Sequence, residues 1–345
     1  MRIESIESFE RKILRGSLLD FLTSLTDAEI SNAYYSKEID KKKGKKRILN
    51  CILNDHLLYK FQKQLKNNFF DFIPLSNSAY GYVKQKSYVD YLNVHRGKNY
   101  FIKFDIKNFF SNIKLSKLKK VLEHYIADIN ISESVKLIDF IMKTVSLAGE
   151  IPQGAVTSPV LSNIYFRSLD IRINRYCKKF NITYSRYVDD LLFSSNDLFI
   201  HKEIFANGIS KILRSAGLTL NSQKLIKTKK EISLNGFVIG NELRLSRKKT
   251  QYLSSIIYCY QRARKKNLTE FTKEIHRHFQ NTNQTKIDYV WLHNYLAGYR
   301  SFLLGILPFD SIGVLPEKLS KENSKLLSKI NIIEQILVIT ADAIV

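Results

Sequence analysis

Apolar residues recur at three- and four-residue intervals over Ile6–Leu25, Asp55–Asn68, Leu118–Ile126 and Ser134–Val145, the period of helices with one buried face. Between the first two, Asn32–Ile39 and Ile48–Leu53 read as extended segments, separated by the basic run Lys41–Arg47 with Gly44 at the tip of a turn. Tyr100–Asp105 (YFIKFD) has the aromatic and β-branched composition of a strand and ends in an acid. Ile151–Gly154 (IPQG) reads as a turn. A long helix is predicted after it, with Ser158 as N-cap, Pro159 at the first helical position, and Leu161, Tyr165, Leu169, Ile173 and Cys177 along one face.

Thr183–Val188 and Leu191–Ser195 are strand-like segments separated only by Asp189-Asp190. Phe199–Ala216 is helical in pattern, Leu218–Leu220 extended, and Leu234–Ile239 with Leu243–Leu245 reads as a hairpin around Gly240-Asn241-Glu242. From Ser246 onward only helical periods appear: Lys249–Lys266, Leu268–Phe279, Tyr289–Leu304, and a last helix from about Lys321. The expected class is α+β, mixed in the middle and all-α at the end.

Charge narrows the partners. Against 32 Asp and Glu the chain carries 55 Lys and Arg, a formal net charge of +23, while 44% of residues are apolar and 12% aromatic. So large a core excludes disorder, and so large an excess calls for a polyanion, either nucleic acid or an anionic membrane surface. No run of about 18 apolar residues is present, and charges interrupt Met1–Leu25, so neither a span nor a secretory signal is expected. Cys51, Cys177 and Cys259 have neither disulfide-framework nor zinc spacing, which suits a reducing interior and a cytoplasmic location. The excess concentrates in Lys41–Arg47, Lys224–Lys230, Arg244–Lys249 and Arg262–Lys266, the last two flanking a helix with Tyr252, Tyr258 and Tyr260. Such aromatics stack on bases or simply pack in the core, and packing is the expectation for most of the 19 tyrosines.

Asp189-Asp190 is the most informative dipeptide. An acidic pair is ordinarily a solvated turn, but apolar strands on both sides push these two carboxylates together at a tight bend. Like charges that close raise one another's pKa unless a cation neutralises them, and a hard divalent ion with oxygen ligands does so. Asp105 alone reads as a strand-terminating cap. If the two strands share a sheet, however, Asp105 comes within reach of Asp189. Three carboxylates can hold two Mg²⁺ ions roughly 3.5–4 Å apart, an arrangement suited to nucleotidyl transfer.

The ordered set FDIKNFFSNI, IPQGAVTSPVLSNIYF, RYVDD, GLTLNSQK and LNGFVIG resembles the palm of reverse transcriptases from Asp105 to Gly240, with weaker resemblance from Arg47 to about Pro308. It most resembles the bacterial retron and defence-associated group. Two retron signatures are not matched: Tyr91-Leu92-Asn93-Val94-His95 keeps only the His of NAxxH, and Leu234-Asn235-Gly236 stands where VTG is found.

The resemblance implies a right-hand polymerase with fingers, an antiparallel palm sheet backed by helices, and an all-α thumb. It implies an N-terminal helix and fingers over 1–95, palm over 96–114 and 151–240, a helical fingers insertion over 115–150, and thumb over 241–315. Residues 316–345 are expected to form a C-terminal helix, to which the resemblance assigns no role. Asp105, Asp189 and Asp190 match the catalytic, metal-binding acids, with the carbonyl of Ile106 as a further ligand, and the cofactor implied is a pair of Mg²⁺ ions or Mn²⁺ in their place. Phe110 occupies the steric-gate position that excludes a ribose 2′-OH, although it also reads as an ordinary core aromatic. Gln153 and Gly154 match nucleotide-binding positions, and Lys224 a lysine beside the leaving pyrophosphate. Arg47 matches the fingers arginine that folds onto the triphosphate. Tyr80 and Gly81 match a segment near the template, and Asn235, Gly236 and Phe237 the primer grip, whose bland reading is a surface hairpin.

The implied activity is RNA-directed DNA synthesis in an antiphage defence or retron-like system. RNA template (a structured noncoding RNA), DNA product and dNTPs are the partners, and the resemblance allows an accessory defence protein. A catalytically idle RNA-binding scaffold and a group II intron-type enzyme are the rival readings. The retained acids argue against the first, and the lack of a maturase region after the thumb argues against the second.

Overall fold

The computed structural model describes residues 3, 5–15, 25–40, 46–126, 130–279, 289–309 and 313–341. The Gly44 turn, the C-terminal part of the helix expected over Ile6–Leu25, and the ends of the chain lie outside these. The chain divides into two compact units, Met1–Lys230 and Glu231–Val345. Helices and antiparallel sheets make up both, so the class is α+β.

The first unit is built on a four-stranded antiparallel sheet. Its strands β3 (Tyr100–Asp105), β4 (Thr183–Tyr187), β5 (Asp190–Ser195) and β6 (Ile226–Lys229) lie in the order β4-β5-β3-β6. Separate from it, β1 (Tyr34–Asp40) and β2 (Lys46–Ile52) pair as an antiparallel ribbon. Around them fold α1 (Asp27–Asn32), α2 (Leu57–Asn68), α3 (Tyr88–Asn93), α4 (Leu115–Glu123), α5 (Ile131–Val145), α6 (Ser158–Lys178) and α7 (Glu203–Arg214). One face of α6 is apolar, and Leu161, Tyr165, Leu169, Ile173 and Cys177 are all buried on it, as their spacing predicts.

Two local expectations are corrected. The N-cap of α6 is Thr157 rather than Ser158, because the Ser158 hydroxyl donates instead to the Pro152 carbonyl, at 2.6 Å, and ties the helix to the preceding turn. Leu234–Ile239 is not one strand. Asn235 and Gly236, with φ of 47° and 85°, make a tight turn between β7 (Ile232–Leu234) and β8 (Phe237–Ile239), and β9 (Leu243–Leu245) completes a three-stranded sheet.

This sheet is counted whole with the second unit, along with α8 (Arg247–Arg262), α9 (Leu268–Phe279), α10 (Tyr289–Leu304) and α11 (Lys321–Ala341). Tyr252 packs among Phe279, Trp291 and Tyr295, and Tyr260 is buried on Phe271, whereas Tyr258 stays exposed beside Arg262. The helix of unfamiliar sequence, α11, joins this core through Ile330, Ile333 and Ile336. Among the described residues no helix is long and apolar enough to cross a membrane.

Candidate active site

Antiparallel pairing of β3 with β5 sets Asp105 directly opposite Asp190, and the Ile106 amide donates to the Asp189 carbonyl at 3.0 Å. The sheet therefore brings together the three acids that the sequence singles out. Asp189 occupies the bend between β4 and β5, and the residue before it, Val188, has φ of 59°. That is an uncommon, strained conformation for a β-branched side chain. Burial, together with the charge of its neighbour Asp190, pushes the Asp189 carboxyl above the usual carboxylate range. Burial also raises Asp190, against the pull of Lys103.

Lysines offset part of this negative charge. Lys224, on a turn capped by the Asn221 side chain, places its ammonium 2.8 Å from Asp105, and the pairing raises the lysine's pKa. The Asn221 amide also donates to the Asp105 carboxylate at 3.3 Å. Lys103 pairs with Asp190 at 2.5 Å, with only 13% and 18% of the two side chains exposed. Lys103 lies two residues before Asp105, and so on the same face of β3. Sequence reasoning missed it, although a lysine amid an apolar strand was the available signal. Asp190 is thus held by a cation of the chain itself, and among the described residues no three acidic, histidine or cysteine side chains converge in a ready metal cage.

The remaining donor set does suit a hard cation. Two raised or paired carboxylates, Asp189 and Asp105, sit beside the Ile106 carbonyl, which accepts no hydrogen bond among the described residues. Three carboxylates against two ammonium groups leave one uncompensated negative charge in a mostly buried place.

The nucleotide-binding candidates meet as well. Arg47, on β2, donates from Nε to the Gln153 side-chain carbonyl at 2.8 Å, and the Asn50 amide donates to the Gln153 backbone carbonyl at 2.7 Å. Gly154 has φ of 119°, and a Cβ there would stand 2.8 Å from the Asn50 carbonyl oxygen, so only glycine lets β2 approach this turn. Tyr82, which follows Gly81 directly, interacts electrostatically with both Arg47 and Asp189, and burial raises its phenol. Phe110 is 7% exposed in the main core, packed on Phe109.

Tyr80 and Gly81 run beside the catalytic bend. The Tyr80 amide donates to the Arg186 carbonyl at 2.9 Å, and a Cβ on Gly81 would stand 2.7 Å from a Val188 methyl. Beneath the bend, Arg186 is fully buried on α6: it forms three hydrogen bonds to Asp170, at 2.8, 3.0 and 3.3 Å, stacks on Phe166 and donates to the Val188 carbonyl at 3.1 Å. His95 is clamped between the Ser194 and Ser185 hydroxyls, 2.7 Å on each side, and burial lowers it to about 3, so it is neutral.

Asn235, Gly236 and Phe237 belong to the second unit. There the Ser246 amide donates to the Gly236 carbonyl at 2.8 Å, and Lys249 lies between the rings of Phe237 and Phe302, 4.7 and 4.2 Å from their centres.

A family model described as reverse transcriptase (RNA-dependent DNA polymerase) matches residues 39–290. The chain is 29% identical over 206 residues to the retron Ec83 reverse transcriptase of Escherichia coli, covering 56% of this chain and 65% of that protein. It is 32% identical over 194 residues to the retron Ec73 reverse transcriptase of the same organism, covering 52% and 61%. It therefore spans slightly less than two thirds of the length of these relatives. The structure of Candida albicans telomerase with a fragment of telomeric RNA aligns with a TM-score of 0.47 at 13% identity, covering 89% of this chain and 63% of that one. The family match takes in the paired acids, the Arg47–Gln153 contact and the turn at Asp189: the chain belongs to the reverse transcriptase family.

Proposed function

We propose that this protein is an RNA-directed DNA polymerase that copies a dedicated structured noncoding RNA into DNA in a retron-type, antiphage system. The observation that carries this reading is the juxtaposition of Asp105 with the Asp189-Asp190 bend, with Lys224 on Asp105. RNA binding alone requires no carboxylates where phosphates approach.

Asp105, Asp189 and the Ile106 carbonyl would hold divalent metal, Mg²⁺ or Mn²⁺, with Asp190 beside them on Lys103. When bound, such ions activate a 3′-hydroxyl and neutralise the leaving pyrophosphate. Lys224, whose side chain is 60% exposed, leaves Asp105 for the departing pyrophosphate, where it acts as general acid or fixed charge. Arg47 and Gln153 receive the incoming dNTP, Arg47 by a forked contact to its phosphates. Phe110 excludes ribonucleotides by volume, with Gly154 giving the backbone close approach to the substrate. Tyr80 and Gly81 face the template, and Asn235, Gly236 and Phe237 grip the primer. In this reading 1–95 and 115–150 form fingers, 96–114 and 151–240 palm, and 241–315 thumb.

Purified protein with its copurifying RNA should incorporate dNTPs only with Mg²⁺ or Mn²⁺, and Asp189→Asn should lose at least about 10³-fold in rate, or ~4 kcal/mol of barrier. Full activity in Asp189→Asn, or no incorporation by wild type, overturns the proposal.

A further inference from the structure

We propose that a groove on the far side of the Tyr80 segment binds single-stranded RNA apart from the catalytic carboxylates; this rests on the reading above that the template is RNA. A cavity of about 590 Å³ lies in the first unit between α6 and residues 75–80. Arg167, Ile171, Asn174, Arg175 and Lys178 line it from α6, spaced by four, three, one and three residues, so they form a single stripe. From Arg167 to Lys178 the stripe runs eleven residues, about 16 Å at the helical rise.

Its chemistry is that of a polyanion site. Among the described residues none of Arg167, Arg175 and Lys178 has a carboxylate partner, and no acid lines the cavity. Asp170, the acid on the same helix, is consumed by the buried Arg186. Between the cations the surface is apolar and open, with Ile171 36% and Val94 41% exposed. Cations at the edges of an apolar floor suit a single strand, whose phosphates track the charges while unpaired bases cover the floor. In a duplex the bases would not be free to do so.

The opposite wall is fixed in advance. Asn174 donates to the Ser78 hydroxyl at 2.6 Å, and Lys86 donates to the Asn77 and Ala79 carbonyls, both at 2.9 Å, while covering the Tyr80 ring. The Asn77 side chain itself has no hydrogen-bond partner among the described residues and is exposed at the cavity. It is the group placed to read a ribose 2′-hydroxyl, the feature that separates RNA from DNA. The groove is continuous with Tyr80, so a strand lying in it leads to the template side of the catalytic bend.

The test uses the full chain with an unstructured, fluorescently labelled 20-nucleotide RNA, and anisotropy titrations across a salt series. The triple variant Arg167→Gln, Arg175→Gln, Lys178→Gln should flatten the slope of log affinity against log salt by about 2, since each lost phosphate contact on a single strand removes ~0.7. Incorporation on a short preformed template–primer should stay within about twofold of wild type. Asn77→Ala should weaken the RNA about threefold to tenfold and leave DNA of the same sequence unchanged. An unchanged slope in the triple variant overturns the groove, and equal weakening of RNA and DNA by Asn77→Ala overturns its assignment to RNA. Wild-type protein that binds with the full slope yet incorporates nothing defeats the polymerase reading while supporting the groove.

Discussion

Replacing Lys103 with Met tests how the acid cluster is kept in place. The substitution keeps a straight side chain and deletes the ammonium that lies 2.5 Å from Asp190. At that distance the gross attraction is ~7 kcal/mol at an effective dielectric of 20, most of it offset by desolvation of both ions. Removing one partner of such a pair costs ~3–5 kcal/mol, because the other charge stays behind uncompensated. The residual exposure of 13% and 18% favours the lower end, so a loss of ~3 kcal/mol is expected. Site charge makes the same point: three carboxylates and two lysines become three carboxylates and one.

The partner variant Asp190→Asn should be milder, since burial already pushes that carboxyl toward its neutral form. The double variant should recover at least ~2 kcal/mol of the Lys103→Met loss, the coupling expected of groups in contact. Metal-free protein would be unfolded in urea and followed by circular dichroism. The chain's single tryptophan, Trp291, belongs to the second unit, so its fluorescence serves as an internal control that should move far less. A Lys103→Met midpoint equal to wild type, or a double variant whose loss equals the sum of the singles, would refute the reasoning.

Gly154→Ala should cost ~1–3 kcal/mol of stability and raise KM for dNTP more than it lowers kcat, because the new methyl pushes β2 and Arg47 away; unchanged steady-state constants would argue against this. Asp189 has a raised pKa in the folded state, so its contribution to stability is fully present below the unfolded pKa and is lost as pH rises through the folded one. The Tm of Asp189→Asn minus that of metal-free wild type should therefore grow between pH 4 and pH 7, and a flat difference would contradict the assigned shift. Arg186→Met should destabilise by ~3–5 kcal/mol, with Arg186→Lys rescuing little because an ammonium cannot make the forked contact to Asp170; thermal melts of both variants decide it.

Much of the site could be read from the chain because its signals are local. An acid ending YFIKFD and two acids between short apolar strands needed only one assumption, that the strands are neighbours, and β3 and β5 are. What could not be read depends on partners far apart in sequence. Lys103 and Asp190 are 87 residues apart, and nothing at either position names the other. Arg186 lies within the strand-like segment Thr183–Val188 with nothing there to name a partner, yet Asp170 lies beneath it and both are fully buried. Ser158 fits every rule for an N-cap, but its hydroxyl found a carbonyl instead of an amide, and Thr157 took the position. The Asn235-Gly236 dipeptide strongly favours tight hairpins, and the turn falls there, inside the segment that the sequence reads as the first arm of a hairpin around Gly240-Asn241-Glu242.

Helix α6 carries Asp170 and Phe166 beneath the catalytic bend and Arg167, Arg175 and Lys178 along the groove. It works as a beam loaded on two sides. Asp170 holds Arg186 by three hydrogen bonds, and Arg186 donates to the carbonyl just before Asp189, so the helix and the bend are joined by one continuous chain of contacts. The two faces are tied together as well by Tyr184, which lines the groove and donates to Asp170 at 2.7 Å, so a residue change that repositions one must be compatible with the other.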